Sequence, residues 1–259
     1  MIDIHHHCLP GVDDGPRDLE EAVDLCRLAA EDGIETIVAT PHVLRGRWQN
    51  TSRLLLEQKL AELQDAIGAS PRLILGSEYF FAHDMNEALQ NGTIVPLASS
   101  RYVLVEFASQ AVPPLVAQPL YQARLGGWTA VIAHPERNLV FQSKPDLLAT
   151  LVENGTKTQI TAGSLLGDFG PEARQSACDW IKRDMVHFVA SDAHNTTRRP
   201  PRMREAVAVI RDLAGDGVAD ALTRRNPAAV VENQGLDYDP EPKPAPKHRV
   251  LDRLAKFWK

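Results

Sequence analysis

Cysteine is scarce in this chain of 259 residues, and the three that occur, Cys8, Cys26 and Cys178, are odd in number and far apart. This spacing implies no disulfide framework, and the lack of any cysteine cluster argues against a structural zinc module. We expect all three to be reduced and to behave as small apolar side chains.

Long apolar runs and an excess of positive charge are also lacking. No stretch of 18 apolar residues occurs, and the amino terminus lacks the basic and apolar regions of a signal peptide, so we expect a cytoplasmic protein. The net charge of −6 gives no general attraction to nucleic acid, which we do not expect as a partner. With 44% hydrophobic residues, the chain has enough apolar surface for one substantial core.

The sequence does contain an alternation of β-rich runs with amphipathic helical stretches. This pattern is typical of a parallel sheet covered by helices, and about seven such units favour a closed α/β barrel over an open sheet. The predicted strands are 1–4, 34–42, 72–80, 102–107, 129–138, 156–163 and 186–195. The predicted helices lie near 18–33, 51–68, 113–125, 145–154, 171–184, 202–214 and 217–225.

The opening stretch, MIDIHHHCLPGVDDG, places three histidines directly behind the first apolar run. Side chains alternate between the two faces of a strand, so His5 and His7 share one face and His6 lies on the other. The pair on one face is suited to chelation. We interpret His6 as structural.

Nine ionisable side chains fall at or just beyond the carboxyl ends of six predicted strands. They are His5, His7, Asp14, His42, Glu78, Glu106, His134, Asp192 and His194. The sites of α/β barrels lie at this end of the strands. Carboxylates crowded there without cations would repel one another and their pKa values would rise. Imidazoles and carboxylates together suit Mn²⁺, Fe²⁺ or Zn²⁺, and nine donors fit two or three such ions.

Five segments carry a family resemblance, namely MIDIHHHCLPGVDDGPRDLEEA, IVATPH, VIAHPERN, QITAGSLLGDFG and HFVASDAHN. Their ordered motifs resemble the polymerase-and-histidinol-phosphatase (PHP) superfamily. More narrowly, they resemble the manganese-dependent tyrosine phosphatases that bacteria encode with capsule and exopolysaccharide genes. The resemblance runs from residue 1 to about residue 234 and implies a distorted (β/α)7 barrel of the TIM-like type.

The resemblance also implies a three-ion centre with Mn²⁺ as the expected metal. It assigns the donors as His5, His7, Glu78 and Asp192 for the first ion, Asp14, His42 and His194 for the second, and Glu106 and His134 for the third. Glu78 would bridge the third ion to the first. The arginines that contact phosphate in this family fall on Arg137 and Arg199. The neighbouring Arg198 is an alternative to Arg199 as the second phosphate-binding arginine.

The implied reaction is hydrolysis of phosphotyrosine by a metal-bridging hydroxide, with the carboxyl-terminal tail of a bacterial tyrosine kinase as substrate. Two alternatives remain open: a phosphoesterase for a small phosphomonoester such as histidinol phosphate, and a kinase-binding module without turnover. A cysteine-based tyrosine phosphatase is excluded, because it needs an arginine six positions after the nucleophile. Aspartate stands there after each cysteine, as Asp14, Asp32 and Asp184.

Two further segments leave alternatives open. Residues 1–234 are predicted to form the phosphatase domain, and 235–259 a Pro-rich linker followed by a basic amphipathic tail. Residues 247–259 either dock on this domain or on a second protomer of a homo-oligomer, or contact a membrane surface or another partner.

The loop 42–50 also leaves two alternatives open. Its residues Arg45, Arg47 and Trp48 either engage a phosphotyrosine peptide or lie in a solvated loop.

The lack of a suitable cysteine and the nine metal-type donors make one prediction about inhibitors. We expect a metal chelator to abolish phosphatase activity, because the donors require cations, whereas alkylation of the thiols should leave activity nearly intact. Phosphate release measured after each treatment tests this, and the reverse result would rule out metal-based catalysis.

Overall fold

The computed structural model describes residues 1–82 and 84–244, which form an α/β architecture with parallel sheets. The seven predicted strands appear as nine segments, because two of them are interrupted. The strands are β1 (Ile2–His6), β2 (Thr36–Ala39), β3 (His42–Val43), β4 (Arg72–Leu75), β5 (Glu78–Phe80), β6 (Tyr102–Glu106), β7 (Thr129–Ala133), β8 (Lys157–Thr161) and β9 (Phe188–Ala190).

The helices lie between strands or follow the last strand. They are α1 (Leu19–Glu31), α2 (Arg53–Ile67), α3 (Met85–Gln90), α4 (Ala117–Leu125), α5 (Leu139–Ser143), α6 (Pro145–Glu153), α7 (Ala162–Leu166), α8 (Pro171–Lys182), α9 (Met203–Ala214), α10 (Asp216–Asp220) and α11 (Asn226–Val231). Every predicted helix has a counterpart. The sequence pattern missed α3, α5, α7 and α11, which have five or six residues each and are too short to show a helical period.

The sheets follow the chain order expected for repeated strand–helix units. Strands β1, β2 and β4 pair in that order, and β3, β5, β6, β7, β8 and β9 pair in a second sheet, with every pair parallel. Beyond the two sheets, the backbone of β1 meets the segment after β9. The Asp192 N–H donates to the His5 carbonyl at 2.8 Å, and the His7 N–H donates to the Ala193 carbonyl at 2.9 Å.

The interruptions in the second and third predicted strands lie side by side. The Gly76 N–H donates to the Ala39 carbonyl at 2.8 Å, and the Glu78 N–H donates to the Pro41 carbonyl at 3.1 Å. Pro41 has no N–H to give to a ladder, so regular pairing of its strand must end there. The two strands therefore bend together, and their second halves enter the other sheet with His42 and Glu78 in register.

Apolar side chains pack on both sides of the strands. A smaller cluster, drawn mainly from β1, β2, β6, β7 and β9, includes Ile4, Val38, Leu104, Val131 and Phe188. A larger one lies between strands and helices. The first helix shows how the sequence directs this packing: Asp18 caps it by accepting from the Glu21 N–H, and its buried face carries Leu25 and Cys26.

The start of the predicted linker packs on the domain. The Tyr238 N–H donates to Asn226 Oδ1 at 3.0 Å, Asp239 pairs with Lys157, and the Lys243 N–H donates to the Arg183 carbonyl at 2.8 Å. The tail 247–259 lies outside the described residues, so its role stays a prediction, as does the domain boundary at 234. Within residues 1–82 and 84–244, no helix combines the length and apolarity needed to cross a membrane.

Gly76 makes a testable contribution to this arrangement. A Cβ there would lie 2.9 Å from Val38 Cγ1 and 3.2 Å from the Leu97 Cα, both in the packed interior. We expect Gly76→Ala to lower the free energy of unfolding by about 1–3 kcal/mol, the usual cost of overpacking. Urea denaturation measures this. Gly217→Ala is the matched control, because its Cβ would meet open space in α10, and equal destabilisation of both variants would contradict the explanation.

Candidate metal centre

The nine side chains predicted as ligands converge at the carboxyl ends of the strands. Eight of them are buried, with relative exposures of 7% or less, and only Asp14 is open to solvent. Their donor atoms form overlapping groups in which all members lie within 4.8 Å of one another. These groups are His7 with Asp14, His42 and His194; His5 with His134 and Asp192; His5 with His7 and Glu78; and His42 with Glu78 and Glu106.

The donors predicted for the first ion lie around the end of β1. His5 Nε2 is 3.2 Å from His7 Nε2, 3.4 Å from Glu78 Oε1 and 3.3 Å from Asp192 Oδ1. His7 Nε2 is 3.4 Å from both Glu78 Oε2 and Asp192 Oδ1. The alternation of β1 and the contact of its end with the segment after β9 produce this cluster.

The donors predicted for the second ion form a neighbouring group. Asp14 Oδ1 lies 3.1 Å from His42 Nε2 and 3.3 Å from His194 Nε2. His7 also belongs to this group, since its ring centroid is 3.9 Å from that of His194. The exposed Asp14 makes this the side of the centre nearest to solvent.

The donors predicted for the third ion do not form a group of their own, because they lie close to donors predicted for the other two ions. His134 Nε2 lies 2.9 Å from Glu78 Oε1, the predicted bridging carboxylate, and 4.0 Å from Glu106 Oε1. His42 Nδ1 lies 2.7 Å from Glu78 Oε2 and 3.9 Å from Glu106 Oε2. The structure thus gathers all nine residues, while their division among individual ions stays a prediction.

Buried donor atoms indicate that this cluster fits divalent cations. Among the described residues, His42 Nδ1, His194 Nε2, Glu78 Oε2 and Glu106 Oε2 are buried and make no hydrogen bond of good geometry, although each lies within 3.5 Å of an acidic or basic group. Buried carboxylates and imidazoles in this condition cost free energy unless a cation coordinates them. Borderline and hard divalent ions accept both donor types, so the residues present fit such ions.

The pKa values show how these groups affect each other. Burial, reinforced by the Glu78 carboxylate, raises the pKa of Glu106 to about 7. Burial and the nearby Arg137 guanidinium lower the pKa of His134 to about 4, and burial with His7 lowers that of His194 to about 4. Both of these imidazoles are therefore neutral at pH 7, which is the form that binds a metal.

Three residues outside the predicted set orient the ligands. Asp13 Oδ2 lies 2.7 Å from His7 Nδ1 and accepts from the His42 N–H at 3.1 Å. Gln159 Oε1 lies 2.8 Å from His5 Nδ1. Such partners fix which imidazole nitrogen faces a metal. Both residues could have been noticed in the sequence, because Asp13 is next to Asp14 in the DDG motif and Gln159 is a polar residue in a buried strand.

Arg45 is the third of these residues, and it comes from the loop 42–50. Its Nε lies 2.6 Å from Glu106 Oε2 and its Nη1 3.0 Å from His42 Nε2. Trp48 stacks on the His42 ring with centroids 5.4 Å apart. Arg47 lies with its guanidinium 4.9 Å from the Trp48 ring. This loop therefore packs against the centre, and its engagement of a peptide stays a prediction.

Gly15 completes the DDG motif for a steric reason. A Cβ at this position would lie 2.4 Å from the His7 carbonyl oxygen, which is rigid backbone. The Gly15 N–H donates to Asp13 Oδ1 at 2.9 Å. The close approach of this turn to β1 thus holds Asp13 and Asp14 beside His7.

The two arginines predicted to contact phosphate both meet Asp192. Arg137 Nη1 donates to Asp192 Oδ2, and Arg199 Nη2 lies 2.5 Å from the same oxygen. Arg198 is exposed; it lines a cavity on the side of Asp14 and His194 and does not pair with Asp192. Burial alone would raise the pKa of Asp192, but Arg199, His5 and Arg137 hold it well below its usual range. The geometry therefore favours Arg199 over Arg198.

His6 lies outside the group, as the strand alternation predicts. Neither of its ring nitrogens has a hydrogen-bond partner among the described residues, and burial lowers its pKa to about 3. It is therefore a neutral side chain at physiological pH, in a fully buried position.

The chain matches a family model described as capsular polysaccharide synthesis, CpsB/CapC, over residues 1–232. It is 39% identical to CapC of Staphylococcus aureus over 79% of this chain and 81% of that protein. The tyrosine-protein phosphatase YwqE of Bacillus subtilis is 34% identical over 97% of this chain and 99% of its own length.

A solved structure agrees with these sequence matches. It comes from crystal structures of YwqE from Bacillus subtilis and CpsB from Streptococcus pneumoniae, described as metal-dependent tyrosine phosphatases. It matches with a TM-score of 0.91 at 33% identity, covering 95% of this chain and 100% of that one. The chain belongs to the CpsB/CapC family of capsular polysaccharide synthesis.

Proposed function

We propose that this chain is a metal-dependent protein-tyrosine phosphatase that removes phosphate from tyrosine. The observation that carries the proposal is the convergence of nine metal-type donors, eight of them buried, beside two arginines. Relatives that align over nearly the whole chain are named tyrosine-protein phosphatases, which supports the same activity.

The nine residues would hold two or three divalent ions, for which Mn²⁺ is the leading candidate and Fe²⁺ or Zn²⁺ the alternatives. When bound, such ions supply a water of lowered pKa as nucleophile and neutralise charge on the phosphoryl group. The donors would divide among the ions as the resemblance implies, with Glu78 shared between two of them. Asp13 and Gln159 would keep His7 and His5 in the orientation that ligation requires.

The two arginines would orient the substrate phosphate. A guanidinium presents paired N–H donors that match phosphate oxygens, and charge spreads over these oxygens as the bond to the leaving group breaks. Asp192 contacts both guanidinium groups and holds them at the edge of the centre. Arg137 and Arg199 would therefore bind the phosphoryl group while Asp192 serves as a ligand.

The reaction transfers the phosphoryl group from the tyrosyl oxygen to water, giving inorganic phosphate and a free tyrosine hydroxyl. The P–O bond to tyrosine breaks, and the proton released by water is taken up by the products. Since the tyrosine hydroxyl has a pKa of about 10, it leaves with little assistance. Cys8 takes no part, because it is fully buried and its pKa is raised by the neighbouring Cys26 and by burial.

The natural substrate in this proposal is a phosphotyrosine protein, namely the tail of a bacterial tyrosine kinase involved in capsule or exopolysaccharide synthesis, in the cytoplasm. The family description supports a role in capsule synthesis. We also infer that the two sheets belong to one distorted (β/α)7 barrel. The contact between β1 and the segment after β9 supports this inference.

A substrate comparison tests the proposed function. With Mn²⁺ added, we expect rapid phosphate release from a tyrosine-phosphorylated kinase tail and little from histidinol phosphate, because family resemblance favours the tyrosyl substrate. Preference for histidinol phosphate would indicate a small-molecule phosphoesterase. Release from neither substrate, together with binding of the kinase tail, would indicate a regulatory module.

The contacts of the two neighbouring arginines give a second prediction. Arg199→Ala should lower kcat/KM on phosphotyrosine by about 100-fold or more, because a charged donor to the developing phosphoryl charge is lost. Arg198→Ala is the matched control and should change the rate by less than about twofold, since the Arg198 guanidinium, unlike that of Arg199, does not pair with Asp192. A larger loss in Arg198→Ala would reverse the assignment.

A further inference from the structure

A cavity of about 420 Å³ opens beside the metal centre, on the side of Glu106 and His134. Arg137 also lines it, so a phosphate held by this arginine would lie at its inner end. The remaining wall is mixed: Phe107, Leu139 and Phe169 are among its apolar side chains, and Gln142 and Glu172 are among its polar ones. Small-molecule sites have this combination of apolar walls with a few convergent polar groups.

Phe169 lies where the cavity meets the arginines. Its ring centroid is 4.4 Å from the Arg137 guanidinium carbon and 5.8 Å from that of Arg199. The ring is half-buried, so part of it remains accessible to a ligand. In a phosphorylated tyrosine a single oxygen joins phosphate to ring, so a phosphate bound at Arg137 places the substrate ring in the adjoining space.

The segment that carries Phe169 is held in place by several contacts. The Asp168 N–H donates to the Gly163 carbonyl at 2.9 Å, and Arg202 Nη1 donates to both carboxylate oxygens of Asp168 at 2.9 and 3.0 Å. The Phe169 ring packs so closely on Gly163 that a Cβ there would lie 3.1 Å from Phe169 Cε2. The position of Phe169 is therefore determined by the fold and does not depend on a ligand.

The motif HPERN also helps to hold the segment that carries Phe169 in place. Glu136 accepts from the Thr161 N–H at 3.1 Å and from the Ser164 hydroxyl at 2.6 Å. These bonds join the turn that carries Arg137 to the segment that leads through α7 to Phe169. The phosphate-binding arginine and the aromatic ring beside it thus belong to one connected unit.

We propose that this cavity is the subsite for the aromatic ring of the substrate, with Phe169 and Leu139 as its contact residues. The inference rests on the proposed phosphatase function and extends it to the leaving group. Two aromatic rings attract each other in offset or edge-on arrangements beyond the gain from buried area. A phosphorylated serine has no ring and would leave the cavity unfilled, so the subsite selects aryl over alkyl phosphates.

Binding of non-hydrolysable phosphonates tests the subsite without depending on turnover. In the full chain loaded with Mn²⁺, calorimetry should show phenylphosphonate binding at least about tenfold more tightly than methylphosphonate, because only the former has a ring that can contact Phe169 and Leu139. Phe169→Ala should remove most of this difference and leave the Kd of methylphosphonate within about twofold, while Phe169→Tyr should retain the difference.

Leu139→Ala should also reduce the preference for phenylphosphonate. Leu125→Ala is its matched control, since both leucines are exposed but Leu125 lies on α4 and does not line the cavity. The subsite is overturned if Phe169→Ala weakens both phosphonates equally, because Phe169 then only supports the arginines. Equal binding of both phosphonates by the unaltered chain also overturns it. Failure to hydrolyse phenyl phosphate in a parallel assay would instead count against the proposed function.

Discussion

The repulsion among three buried carboxylates, those of Glu78, Glu106 and Asp192, is the constraint on which the rest of this structure depends. Glu78 lies within 3.4 Å of imidazole nitrogens of His5 and His7 and shares the centre with Glu106, whose pKa is raised by burial and by this neighbour. Such a group is stable only when positive charge balances it. Imidazoles, guanidinium groups and bound cations would supply that charge, and the fold places all the protein groups around the same point.

Irregular backbone segments bring the metal-type donors of the centre together. The paired bends at Pro41 and Gly76 carry His42 and Glu78 from one sheet to the other, and a turn too close to β1 for any side chain at Gly15 brings in Asp14. Asp192 and His134 adopt positive φ angles of 52° and 34°. Backbone conformations of this kind cost free energy in non-glycine residues and are concentrated at functional sites.

Much of this could be predicted from the sequence, because the period of the strands and the order of the motifs are local properties. The alternation of β1 separates His5 and His7 from His6, and the nine predicted donors lie at or just beyond the carboxyl ends of predicted strands. The breaks within two predicted strands were not foreseen, since Gly76 and Pro41 act through packing between distant segments. Asp13, Gln159 and Arg45 were missed as supporting groups for the same reason, because their roles appear only when separate strands meet. Phe169 stood within a quoted motif, but its position over Arg137 depends on a turn and on contacts with Gly163 and Arg202.

The meeting of the first strand with the segment after β9 would also link metal loading to the folding of the domain. His5 and Asp192 belong to one donor group, yet residues 6–191 lie between them in sequence. An ion bound by both stabilises only the state in which the two ends of the domain are together, so its binding free energy adds to global stability. Contacts of such long range also form late when a chain folds, since the entropy of closing the intervening chain must first be overcome. The supply of metal in the cell would then set how much of the newly made protein persists in the folded state, in addition to how active it is.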